Sequence, residues 1–470
     1  MVGSEVAARD RRLSVSVLAL IVCSALVTAQ TPAARPARAG TGLIPTIDGL
    51  AAAAFPNDRP GAIVLAAKDG RAVFKRAYGL ADLEFSTMLE PDMLMRIGSV
   101  TKQFTAGLIL RLVELGKLRV TDTVSMYLPD FPETGKTITI EHLLTHTSGL
   151  PNYTALPEYG PGQARRLSVD VLLSMFKDRP LEFGPGTRFS YSNSGYAVLG
   201  AIVEKVTRQS FADSLHEYVL VPIGARETRY DSAERILPRR ARGYEWDGTA
   251  YRNASYLDMS QPYAAGALVS TVDDLLTWDT ALSSGRLLKP ESLARMMTPF
   301  RLANGTTTTY GYGWALANYA DHAVAEHSGG INGFRCHVVR IADANVYVAV
   351  LSNDGSAAGK PARLARKIAS LLVGAPLTEP PVTGLPPSVL DQFAGRYLFP
   401  DDRWIRIERD GDHLRMEGPA GDGVLDPIRG DQFKERGGVA QFEFRRDGDG
   451  QVNGVEQSGW GAPEEGTKDP

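Results

Sequence analysis

The chain has 470 residues, 43% of them hydrophobic and 22% charged, a globular composition that excludes a mainly disordered or fibrous protein. Single cores usually stop growing at roughly 250 to 300 residues, so two domains are expected. A net charge of −3 without an extended Lys/Arg cluster excludes the basic footprint that nucleic-acid binding needs.

The first elements concern the address of the protein. Arg9, Arg11 and Arg12 precede an apolar run from Leu13 to Val27 that ends in Val27-Thr28-Ala29 before Gln30, the order of a secretory signal peptide over residues 1–29. The run is about 15 residues against the roughly 20 that cross a bilayer, so export to a secreted or periplasmic location is expected in place of stable membrane insertion. Removal of Cys23 would leave Cys336 as the only cysteine, without a disulfide partner in the chain. Residues 30–42, rich in Ala, Pro, Arg and Gly, form a flexible lead-in.

From residue 43 the pattern is that of a packed domain. Lys68-Asp69-Gly70 separates two β-prone runs and predicts a hairpin. Phe104, Leu108 and Leu112, with Ile109 and Val113 alongside, predict a buried helix from Thr101 to Leu115 that stops at Gly116. Another helix is predicted over about 195–206, a second hairpin pairs 333–341 with 346–352, and a helix follows over about 361–373. Residues 376–387 fall in the stretch APLTEPPVTGLPP, whose five prolines predict a linker after a domain spanning 43–375. Beyond it, Trp404-Ile405-Arg406-Ile407 and Gln441-Phe442-Glu443-Phe444 alternate apolar and polar residues, predicting a small antiparallel β domain over 388–470 with a disordered tail after Trp460.

Three short patterns carry chemistry. In Gly98-Ser99-Val100-Thr101-Lys102 the serine opens the buried helix and the lysine, three residues on, shares its face. A serine hydroxyl is a weak nucleophile until a neighbour takes its proton, and burial prepares a lysine for that by lowering its pKa. Tyr191-Ser192-Asn193 places a phenol and an amide on one connection before a helix. His327-Ser328-Gly329-Gly330 leads into a strand where glycines permit close approach of a ligand. Each pattern alone also fits a helix cap, a core tyrosine or a plain turn.

In the order S-x-x-K, Y-x-N and H-x-G, the three resemble the active-site motifs of the penicillin-binding-protein and serine β-lactamase-like hydrolases, which include class C β-lactamases, D,D-peptidases, D-aminopeptidases and esterases. His142-Leu143-Leu144-Thr145-His146-Thr147-Ser148-Gly149-Leu150 is similar to a further stretch of that family. The resemblance implies an α/β (α+β) sandwich, an antiparallel sheet of about five strands flanked by helices with a helical subdomain. It also implies that Ser99 is acylated, that Lys102 and Tyr191 move the protons, that Asn193, His327, Gly329 and Gly330 bind substrate, and that the amides of Ser99 and Gly330 hold the oxyanion.

No metal or phosphate-loop motif appears, and no cofactor or metal is implied. The partner is a small ester, amide or peptide substrate; oligomeric state is left open. A β-lactamase or D,D-carboxypeptidase acting on cell-wall-like substrates is the alternative, and a non-catalytic binding protein on the same fold is the reading from another class. Many relatives carry lysine where His327 stands. With an ordinary pKa near 6.5, His327 is expected to be largely neutral at pH 7, to disfavour carboxylate-bearing substrates there, and to regain charge towards pH 6.

Overall fold

The computed structural model describes residues 42–469 apart from 378–379, 400–403, 419–422, 437–439 and 459–463. The signal peptide and nearly all of the lead-in expected over 1–42 lie outside the described residues.

At the first hairpin, Asp69 and Gly70 both take positive φ, 53° and 71°, the geometry a two-residue turn needs to match strand twist. The turn joins β1 (Ala62–Lys68) to β2 (Arg71–Tyr78). The later strands are β3 (Ala315–Tyr319), β4 (His322–Ile331), β5 (Phe334–Ile341) and β6 (Val346–Ser352). All pair antiparallel in the order β3-β4-β5-β6-β1-β2. This sheet has six strands, one more than expected, because β3 adds an edge ahead of β4.

Both faces of the sheet are covered, and alternation in β1 shows how. Ile63, Leu65 and Ala67 join the core that contains helices α1 (Thr101–Glu114), α2 (Asn193–Thr207) and α3 (Val272–Ser283). Ala62, Val64 and Ala66 face the opposite core, with the helices Leu43–Ala54 and Lys360–Leu372. Every residue of β6 is buried, as a strand packed on two faces requires.

The C-terminal residues form a closed antiparallel barrel of eight strands between Gly395 and Lys468. Phe393, Phe433 and Phe444 fill its centre with ring centroids 4.7–5.3 Å apart. The tail expected to be disordered includes the strand Glu464–Lys468, which pairs with both Gly395–Leu398 and Val452–Ser458 and so closes the barrel. Closure removes exposed sheet edges, and a polar strand suffices there because one side of it faces solvent. Ahead of the barrel, Thr383 hydrogen-bonds the Pro427 and Ile428 carbonyls at 2.8 and 2.6 Å, tying the proline-rich stretch to it.

Candidate active site

Ser99 sits in a single 3-10 turn, Gly98–Val100, that runs directly into α1. Gly98 has φ +47°, and a Cβ there would lie 2.9 Å from the Gly330 amide nitrogen, so only glycine lets this turn press against β4. Cys336 on β5 fastens the same turn by donating to the Ile97 carbonyl at 3.0 Å.

One turn along α1, Lys102 is fully buried, with its Nζ 3.0 Å from Ser99 Oγ, 2.8 Å from Asn193 Oδ1 and 2.9 Å from the Ala265 carbonyl oxygen. Burial holds its pKa well below the usual lysine value. The partners then fix the geometry. Asn193 Oδ1 and the Ala265 carbonyl can only accept, so a neutral Lys102 gives its two N–H bonds to them and turns its lone pair to the Ser99 hydroxyl. Asn193 is held by its own Nδ2, which donates to Thr154 Oγ1 at 3.0 Å, and by its amide, which donates to Asn152 Oδ1 at 3.0 Å.

Tyr191 approaches from the other side, its ring 4.9 Å from Lys102 Nζ. Burial raises its hydroxyl well above the usual phenol range, and the hydrogen bond with Ser99 pulls the other way. The residue as a whole is 37% exposed. His146 packs against that ring, centroids 4.3 Å apart, and its Nδ1 accepts the Ser192 amide at 3.2 Å, which sets the loop that presents Tyr191 and Asn193.

The Gly330 amide completes the cluster. Ile331 and Phe334 flank the two-residue turn of the β4–β5 hairpin, so alternation puts the N–H of Gly330 on the side away from β5, where the Ser99 turn lies. A Cβ on Gly329 would come within 2.1 Å of the Ile97 carbonyl, which makes that glycine a requirement of packing. Ser99, Asn193, Gly330 and Arg335 line a cleft of about 440 Å³. Two larger cavities, of about 680 and 630 Å³, contain neither Ser99 nor Lys102.

His327 does not point into that cleft. The residue is 7% exposed; its Nδ1 lies 2.7 Å from the Ser328 carbonyl and its Nε2 lies 2.8 Å from the Tyr310 hydroxyl. A carbonyl only accepts, so Nδ1 carries the proton and Nε2 accepts from Tyr310. Burial first, and the nearby Lys102 second, push its pKa down to about 3. The expected recovery of charge towards pH 6 is therefore corrected: the ring stays neutral there because a charged imidazolium would be desolvated beside a lysine. Sequence reasoning missed Tyr310 and the Ala265 carbonyl. Tyr310 stands in the aromatic and glycine-rich run Tyr310-Gly311-Tyr312-Gly313-Trp314, a sign of tight packing but not of a partner for His327.

Among the described residues no cluster of His, Cys, Asp and Glu is arranged to hold a metal ion, and no helix is long and apolar enough to cross a membrane.

Comparison with known proteins gives two family matches: residues 49–372 match the family model Beta-lactamase, and residues 379–465 match a domain of unknown function, DUF3471. The chain is 30% identical over 381 residues to penicillin-binding protein 4* of Bacillus subtilis, covering 75% of this chain and 83% of that one. It is 26% identical over 420 residues to a D-aminopeptidase of Brucella ovis, covering 86% and 76%. Its fold is similar to that of an octameric penicillin-binding protein homologue from Pyrococcus abyssi, with a TM-score of 0.64 and 26% identity over 91% of this chain and 99% of that one.

Proposed function

The chain belongs to the beta-lactamase family of serine hydrolases, and from that premise we propose that it cleaves amide and ester bonds through an acyl-enzyme on Ser99, with small D-amino-acid amides and peptides as its substrate class. The observation that carries this reading is the buried Lys102 amine, 3.0 Å from Ser99 Oγ and held by the Asn193 Oδ1 and Ala265 carbonyl oxygens.

In this account Lys102 takes the Ser99 proton as Oγ attacks the substrate carbonyl. The amides of Ser99 and Gly330 hold the oxyanion, a contribution of roughly 2.7 to 4 kcal/mol per donor in other acyl-transfer enzymes. Tyr191, whose raised pKa keeps it protonated at neutral pH, donates to the leaving amine and recovers its proton through Lys102. Water then attacks the acyl-Ser99 carbonyl with the same pair returning the protons. Asn193 and the Ala265 carbonyl orient Lys102 throughout.

The relation to a D-aminopeptidase supports the D-amide reading, and the neutral His327, which offers no fixed cation at the third motif, supports uncharged esters and amides over carboxylate-bearing ones. Arg335 favours the second reading, a D,D-carboxypeptidase or β-lactamase, because its guanidinium lines the same cleft where a substrate carboxylate would lie. The test is one panel: D-alanine p-nitroanilide, its L-enantiomer, a p-nitrophenyl ester and a chromogenic cephalosporin, each with wild type and Ser99→Ala. D-amide and ester turnover that vanishes in the variant is expected. A preference for the cephalosporin would transfer the assignment to the second reading.

Export is also proposed, on the strength of the Arg9–Ala29 pattern. The exported protein should have an intact mass that begins at Gln30; a secreted form retaining residues 1–29 would contradict it.

A further inference from the structure

Glu245 lines the Ser99 cleft and takes no part in the acyl-transfer steps described above. It stands in the short strand Tyr244–Trp246, which is fixed against the residues that follow β6: Tyr244 donates to the Asn353 carbonyl at 3.0 Å, and Gly355 donates to the Tyr244 carbonyl at 2.7 Å. A Cβ at Gly333 would lie 2.7 Å from the Gly243 backbone, so the tip of the β4–β5 hairpin closes directly on this strand. Tyr244 is 2% exposed, with its hydroxyl accepting from the Leu83 amide at 2.9 Å. Alternation along the strand then puts Glu245 on the other side, towards the cleft.

The carboxylate held there is only half used. Its Oε1 accepts from the Gly333 amide at 3.3 Å, and Oε2 has no partner among the described residues. Arg335, the other charged side chain of the cleft, donates Nη1 to the Phe334 carbonyl at 3.2 Å, and the two form no ion pair with each other. The open carboxylate oxygen shares the cleft with the apolar walls of Tyr159, Leu257 and Ile331, where a charge contact is screened less than in bulk water. A carboxylate only accepts, so the group that completes it is a donor, and a charged donor binds it most strongly. In a D-amino-acid amide the carbon next to the attacked carbonyl carries such a donor, an ammonium. A simple ester or an N-acylated peptide carries no cation at that place.

We propose that Glu245 is a specificity-determining residue that receives the free ammonium on the acyl part of the substrate. This rests on the reading of the chain as a hydrolase of D-amino-acid amides and sharpens it: amides and peptides with a free amino terminus are the preferred substrates, and those that lack the ammonium, N-acylated peptides among them, are poor ones. Glu245 acts in binding alone, and Ser99, Lys102 and Tyr191 keep the bond-breaking steps.

The experiment compares size-matched pairs on the full chain. D-Alanine p-nitroanilide is set against 2-methylpropanoyl p-nitroanilide, in which a methyl group replaces the ammonium. D-configured 1-aminoethylboronic acid is likewise set against 2-propylboronic acid, with binding to Ser99 read by calorimetry. Wild type should favour the ammonium-bearing member of each pair at least ~10-fold, in kcat/KM and in Kd, and Glu245→Gln, which can still accept from Gly333, should lower that ratio at least ~10-fold. Taking the ratio within each protein cancels any change the substitution makes to Ser99 chemistry. An unchanged ratio in Glu245→Gln would overturn the proposal; if acetate then binds the variant more tightly, the carboxylate serves only to temper Arg335. The boronate pair needs no turnover, so it decides on Glu245 even where the anilides are not cleaved and the amide reading fails. Boronates that bind neither protein would strike the Ser99 reading and this subsite together.

Discussion

The ratio of cephalosporin to aryl-ester kcat/KM should stay flat as pH falls from 8 to 5.5, and the reason is His327. An unshifted imidazole would be about three-quarters protonated at pH 6, placing a cation near the substrate carboxylate. With its pKa pushed down to about 3, His327 is protonated in only about one molecule in a thousand at that pH. The geometry explains why acid does not easily reverse this: Nε2 already accepts from Tyr310, and a second proton would displace that hydrogen bond beside Lys102. Both substrates share Ser99 and Lys102, so the ratio cancels the pH dependence of acylation itself. A charged hydrogen bond is worth roughly 1.5 to 3 kcal/mol, so titration of His327 would raise the ratio more than about tenfold. A rise of that size with an inflection between pH 6 and 7 would refute the argument.

Other consequences are as specific. Lys102→Ala and Tyr191→Phe should each slow acylation at least ~100-fold, with losses that do not add, measured by pre-steady-state release of p-nitrophenol. Arg335→Ala should lower kcat/KM for carboxylate-terminated substrates about tenfold or more and leave neutral esters within about twofold. Gly329→Ala should cost roughly 1–3 kcal/mol in urea unfolding, because its Cβ would meet the Ile97 carbonyl at 2.1 Å and Cys336 Sγ at 2.4 Å. Acid should destabilise the fold early: His146 and His327 have folded pKa values below the ordinary 6.5, so the unfolded chain binds more protons below that pH and stability falls as pH falls through it. A flat stability profile from pH 7 down to 5 in urea unfolding would contradict their neutral burial.

Much of this was legible in the sequence because the signals are local. Asp69-Gly70 forces its turn, and the fourfold apolar spacing from Phe104 to Leu112 forces the helix that carries Ser99 and Lys102 onto one face. The three motifs, far apart in the chain, meet because β4, α1 and the loop before α2 share one core. What stayed hidden depends on partners distant in sequence. The edge strand Ala315–Tyr319 is too short, and the barrel-closing strand Glu464–Lys468 too polar, to announce itself, and both exist because neighbours supply hydrogen bonds. The direction of His327 was not visible either. It follows from Tyr310, seventeen residues earlier, whose hydrogen bond to the ring no sequence pattern announces.

The central claim, that Ser99 is acylated during turnover, is tested most directly by rapid acid quench of the wild-type protein with a D-amino-acid p-nitroanilide, followed by peptide mass mapping. The account predicts one D-aminoacyl group on the peptide containing Ser99, absent from Lys102→Ala at the same time point. Steady turnover with no acyl group on that peptide, or wild-type turnover in Ser99→Ala, would contradict it.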